Sequence, residues 1–115
     1  MKINFVSVTT LAAVAAIFML SSPARAFDED AAKSLAKRND CFKCHAVDKT
    51  KKGPAYKKIA VKYKGKEAEG EAAIIKNITT APMVKLEDGT QQEHKVIDTK
   101  NPAELKNLAA WILSL

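Results

Sequence analysis

The sequence predicts an all-α domain behind a short export segment. Three observations carry this: apolar residues recur at helical spacing in separate stretches, Gly and Pro punctuate those stretches, and the last one opens with a full set of helix-start signals. No internal repeat and no low-complexity segment interrupts the pattern.

The chain begins with an address label. Lys2 supplies a positive start, and Phe5 to Leu20 is apolar apart from Ser7, Thr9 and Thr10. Ser21-Ser22-Pro23 then breaks the run, and Ala24-Arg25-Ala26 offers small residues at the cleavage positions. The reading is a signal peptide over 1–26, cut after Ala26. The mature domain then spans 27–115, which is 115 minus 26, or 89 residues. An uncleaved anchor is the alternative. A helix needs about 20 apolar residues to cross a bilayer, which this run barely supplies, and the break leads straight into the small-residue site. No second hydrophobic segment follows, so no membrane insertion is expected after cleavage, and the predicted location is the periplasm.

In the mature part, Asp28, Glu29 and Asp30 favour a helix start through the macrodipole. Ala31, Ala32, Leu35 and Ala36 form its apolar stripe, running toward Cys41. Gly53-Pro54 breaks the chain, and helices are read over Ala55 to Tyr63 and Glu67 to Ile78, on either side of Gly65. From Thr79 to Lys100 the helical period is lost, and Asp88-Gly89 marks a turn, so this stretch reads as a long loop or a minor hairpin. The final helix has Asn101 as its cap, Pro102 in its first turn and Glu104 in a capping-box-like position. Leu105, Leu108, Ile112 and Leu115 repeat on one face, with Trp111 beside them. An aromatic there is more often core than cofactor contact.

The chemistry is concentrated in Cys41-Phe42-Lys43-Cys44-His45. Two thiols three positions apart project from one side of a helical turn, so both can reach one edge of a flat macrocycle, and the next residue turns beneath its centre. This suits covalent attachment of one haem c through Cys41 and Cys44, with His45 as the proximal iron ligand. An exported C-x-x-C pair can instead oxidise to a disulfide, so export alone does not establish haem. A domain of 89 residues has a limited core, and a buried haem could supply the missing support.

Charge narrows the partners. Without Lys2 and Arg25 the formal charge falls from +6 to +4. Nine lysines lie between Lys43 and Lys66 against Asp48 alone. Such a belt can steer a redox partner with an acidic docking surface, or simply form a solvated face. No nucleic-acid motif accompanies it, and an exported domain rarely meets nucleic acid.

The chain resembles the class I c-type cytochromes over its whole mature length: a helix leading into Cys41-Phe42-Lys43-Cys44-His45, then Gly53-Pro54, a ligand loop, and a terminal helix ending Leu108-Ala109-Ala110-Trp111-Ile112-Leu113. The resemblance implies that the first and last helices pack across each other around the haem, setting Leu35 against Leu105, Leu108 and Ile112. It also implies that the Pro54 carbonyl accepts a hydrogen bond from His45, fixing the imidazole tautomer and raising its basicity toward iron.

The distal ligand departs from the family pattern. Members place a methionine in the loop before the last helix, roughly 16 to 18 positions ahead of an aromatic, a reach set by backbone geometry. Met83 lies 28 positions before Trp111, whereas His94 lies 17 before it. The spacing favours His94. Met83 remains the alternative, because an inserted hairpin between 84 and 94 could restore its reach. Each residue also has an ordinary reading: Met83 as a pocket filler, His94 as an exposed loop residue.

The expected function is electron transport by Fe(III)/Fe(II) cycling, without substrate turnover. The sequence shows no catalytic nucleophile or acid-base pair and is not expected to be an enzyme. Two other classes stay open. A gas-binding or sensing haem protein for NO or CO would leave the distal position open or weakly held. A thiol-disulfide oxidoreductase would use Cys41 and Cys44 as a redox pair, but in a strand-helix-strand setting that this pattern lacks.

Overall fold

The computed structural model describes residues 27–115. The expected signal peptide over 1–26, with its cleavage after Ala26, lies outside the described residues. Four helices and one small hairpin follow in order: α1 (Glu29–Arg38), a single 3-10 turn (Cys41–Lys43), α2 (Tyr56–Lys62), α3 (Glu67–Thr80), β1 (Met83–Lys85), β2 (Gln91–Glu93) and α4 (Pro102–Leu113).

The helix ends follow side-chain chemistry. Asp28 caps α1 by accepting the Ala31 N–H at 3.0 Å, and Glu29 and Asp30 occupy the positive end of its dipole. Asn101 caps α4 by accepting the Ala103 N–H at 2.9 Å, with Pro102 at the first helical position. The predicted capping box does not close. The Glu104 carboxylate is taken by the Thr99 hydroxyl and by Arg38 at 3.4 Å, while the Asn101 N–H is given to the Thr99 hydroxyl at 3.1 Å. The preceding loop supplies an acceptor nearer than Glu104, so the carboxylate serves an interhelical pairing instead. At the other boundary, α3 runs to Thr80, two residues past the predicted end. Thr79 and Thr80 bond back to the Ile75 and Lys76 carbonyls, and Ala81 closes the helix at φ 50°.

The core forms where α4 lies against α1, α2 and α3. Ala32, Leu35 and Ala36 of α1 and Leu105, Leu108, Ala109 and Ile112 of α4 belong to one buried cluster, together with Tyr56, Ile74, Ile78 and Ile97. The expected crossing of first and last helices is therefore present. Ala31 is exposed, so the α1 stripe is narrower than its sequence suggests. Trp111 is fully buried, and its ring meets Phe42 and Tyr56 edge-on, at centroid distances of 6.5 and 5.6 Å. Gly70 lets α3 approach closely, since a Cβ there would lie 2.8 Å from both Tyr63 and Leu113.

One polar bolt ties the end of α1 to the segment that leads into α4. Asn39 is buried; its amide donates to the Leu35 carbonyl and to Asp98, each at 3.0 Å, and its oxygen accepts the Asp98 N–H at 2.9 Å. Asp98 also pairs with Arg38 at 3.1 Å. The hydrogen bond from Asn39, and next that from Arg38, hold the Asp98 carboxyl below its ordinary range. Asn39→Ala leaves the Asp98 N–H without its acceptor and takes one donor from the Asp98 carboxylate, and is expected to cost about 1–3 kcal/mol in urea unfolding. The conservative Asn39→Asp retains the acceptor but places two carboxylates together, so it is expected to be no more stable than the alanine variant.

Candidate haem site

A cavity of about 600 Å³ opens between the helices. Its volume lies in the range of cofactor pockets, roughly 300–1,000 Å³. Ile59, Ile74, Ile78, Ile97, Leu108 and Ile112 give it apolar walls. Cys41, Cys44, His45, Pro54, Tyr56 and His94 line the same space, and Met83 does not.

The proximal side is built by short-range constraints. Asp40 adopts a left-handed conformation, φ 59°, which ends the run from α1 and turns the chain into the 3-10 turn. The Cys44 and His45 N–H groups both donate to the Cys41 carbonyl, at 3.2 and 2.9 Å, so both cysteines and the histidine sit on one tight turn. His45 Nδ1 lies 2.7 Å from the Pro54 carbonyl, as the resemblance implied. That carbonyl is an acceptor, so Nδ1 carries the proton and Nε2 is left as the free lone pair. Burial pushes the His45 pKa down, against the opposing bond to Pro54, and this favours the neutral imidazole that metals bind.

One residue beside His45, Gly53, escaped the sequence reading as a site residue. A Cβ at Gly53 would stand 2.7 Å from His45 Cε1 and 3.1 Å from Nδ1, so the ring occupies space that only glycine leaves. The Gly-Pro pair after the motif was legible as a chain break, not as room for an imidazole. Tyr56 is buried in the core cluster and also lines the cavity, where its ring stacks on that of His45 at 5.1 Å and 20°. Gly53→Ala is expected to displace the His45 ring, cost about 1–3 kcal/mol and alter the ferric absorption spectrum of the haem-loaded protein.

Burial pushes the Cys41 thiol up in pKa, the opposite of the depressed value that a catalytic redox pair needs. Both cysteines are free. The apolar cavity, the paired thiols on one turn and the neutral imidazole facing it fit a haem, which would be held by Cys41, Cys44 and His45.

Across the cavity, the stretch read as loop or hairpin is a hairpin, with Met83 paired to Glu93 and Lys85 to Gln91. His94 follows β2 directly and lines the cavity, with its ring centroid 6.2 Å from that of His45. Met83, in β1, is 60% exposed and is absent from the cavity lining. Lys58, Lys62, Lys85 and Lys95 also line the cavity.

The family described as Cytochrome c matches residues 29–115. The chain is 56% identical to the class 1 cytochrome MtoD from Sideroxydans lithotrophicus ES-1, whose crystal structure superposes with a TM-score of 0.72 over 77% of this chain and 97% of that one. It is 32% identical to cytochrome c552 of Nitrosomonas europaea, TM-score 0.54, over 71% of this chain and 96% of that one. Cytochrome c-551 of Pseudomonas denitrificans is 35% identical over 83 residues, which are 72% of this chain and 95% of the relative. With the folded domain, the cysteine pair and the cavity in agreement with these likenesses, the chain belongs to the cytochrome c family, among the class I c-type cytochromes.

Proposed function

We propose that this cytochrome is an exported electron carrier whose single haem is held through Cys41 and Cys44 and ligated by His45 and His94. The bound haem supplies one-electron Fe(III)/Fe(II) exchange; the chain supplies position, two strong ligands and an apolar enclosure. As a class I family member it is a carrier, not an enzyme.

The observation that carries the ligand assignment is the 6.2 Å between the His45 and His94 ring centroids. Two imidazoles bonded in line to one first-row metal, at about 2 Å per bond, leave their centroids about 6 Å apart. The exposure of Met83 supports the same choice. Gas binding finds no support: the matched relatives are cytochromes of the c-551 and c-552 kind, and an imidazole lines the cavity opposite His45. Magnetic circular dichroism of the ferric protein tests the assignment, with His94→Ala and Met83→Ala beside the wild type. A spectrum unchanged in His94→Ala rejects it.

Export to the periplasm rests on the sequence over 1–26; among the described residues, no helix is long and apolar enough to cross a membrane. The partner is a redox protein with an acidic docking surface. Lys58 and Lys62 are exposed, line the cavity and flank the exposed Val61, so an acidic surface can approach the haem edge over an apolar centre with a basic rim. Charge reversal at Lys58 and Lys62 together is expected to slow association with an acidic redox partner about tenfold at low ionic strength, with the difference shrinking as salt is added. An equal rate in stopped-flow mixing at low salt would reject this face.

A further inference from the structure

A two-stranded hairpin of three-residue strands is marginal by itself in water. The one here, Met83 to Glu93, forms part of the cavity wall through Val84, Lys85, Leu86 and Gln92, so something must hold it in place. Two backbone bonds outside its own ladder do so. At the base, the His94 N–H donates to the Pro82 carbonyl at 2.8 Å, which extends the pairing onto the histidine itself. At the tip, the Glu87 N–H donates to the Lys52 carbonyl at 3.1 Å.

Lys52 directly precedes Gly53, which lines the cavity beside His45. Its loop is fixed to the cysteine turn by the Gly53 N–H on the Cys44 carbonyl at 2.8 Å, and the Lys51 N–H donates to the Gly53 carbonyl at 3.0 Å. The tip bond thus joins the segment carrying His94 to the segment carrying His45, across one edge of the cavity. The tip is itself stiff. Gly89 donates to the Leu86 carbonyl at 3.0 Å with φ +86°, and Asp88 Oδ1 accepts the Thr90 N–H at 2.9 Å and its hydroxyl at 2.6 Å. A stiff tip transmits a tether at Glu87 down both strands to the residue after β2.

The geometry points to the hairpin as a strap, latched at the Lys52 carbonyl, that keeps His94 at the iron and sets how readily small external ligands displace it. This rests on the assignment of His94 as the distal ligand. Cyanide or imidazole must wait for His94 to leave, so their association rate reads the opening of the strap. Without the latch, the open population rises by the worth of one hydrogen bond.

Glu87→Pro isolates that bond. Residue 87 is the second position of the Leu86–Gly89 turn, where proline is favoured, so the turn is kept while the N–H and the side-chain charge are lost. Glu87→Ala keeps the N–H and controls for the lost charge. In the haem-loaded ferric protein, Glu87→Pro is expected to bind cyanide about fivefold faster than wild type, equivalent to the ~1 kcal/mol of one net hydrogen bond. Glu87→Ala is expected to stay within about twofold. A Glu87→Pro protein with wild-type circular dichroism and a wild-type cyanide rate overturns the latch. If that variant does not fold, hydrogen exchange in the wild type decides: the Glu87 amide is expected to be protected at least about tenfold, and an unprotected amide overturns the proposal. Failure of the ligand assignment is separate, because it appears in the wild-type magnetic circular dichroism without either variant. Failure of the latch leaves that spectrum intact and shows only in rates and exchange.

Discussion

Replacing Cys41 and Cys44 together by alanine is expected to give a processed polypeptide with no covalently added haem and no stable fold. The cavity sets the size of the effect. Without haem, the apolar walls of a cavity of about 600 Å³ lose their burial, which at roughly 1.5–3 kcal/mol for each large side chain re-exposed comes to several kcal/mol. The net stability of a small domain is only about 5–15 kcal/mol. Ile74, Ile78, Leu108 and Ile112 would be left to collapse or to face water, and the core they share with α1 and α4 would lose its support. Mass spectrometry and far-ultraviolet circular dichroism of the exported variant check both halves. A variant that folds fully without haem shows that the helices alone suffice. A wild-type chain without added tetrapyrrole sinks the electron-carrier reading itself.

His94→Ala is expected to convert the ferric protein from low to high spin and to open it to cyanide, and to carbon monoxide when reduced. The alanine leaves a vacant side where the ring stood 6.2 Å from that of His45. No other imidazole is within the described residues, since the chain has two histidines, His45 and His94. The stability cost is expected to be about 1–3 kcal/mol, because the proposed ligand bond and the tie it would make across the cavity are lost. His94→Met separates two consequences. If a thioether takes the position, low spin returns and the reduction potential rises, since thioether favours ferrous iron relative to imidazole. Met83→Ala is expected to leave the spectrum and potential at wild-type values, because Met83 is exposed. A spectral change in Met83→Ala with none in His94→Ala reverses the assignment.

Much of the site was legible from local chemistry. Cys41, Cys44 and His45 are fixed by one turn, so spacing alone predicts that they act together. The α4 start was equally readable, because a cap is a contact between residues two apart. What spacing could not decide is whatever depends on contacts far along the chain. Glu104 sits correctly for a capping box, yet Arg38 and Thr99 claim it. Asn39 reads as an ordinary polar residue after a helix, and only Asp98, 59 positions on, makes it a buried bolt. Between Met83 and His94, counting back from Trp111 gave a preference; the exposure of one and the ring distance of the other came from how the hairpin lies.

The sequence by itself determined the helical class, the cysteine turn with its histidine, and the capped last helix, because each follows from interactions within a few residues. The tertiary structure alone decided that Gly53 makes room for an imidazole, that Tyr56 stacks on it, and that the hairpin sets His94 rather than Met83 at the cavity. Those outcomes depend on which segments meet in space. In a strand with alternating faces, a shift of one residue reverses which side chain points inward, and only packing fixes that register.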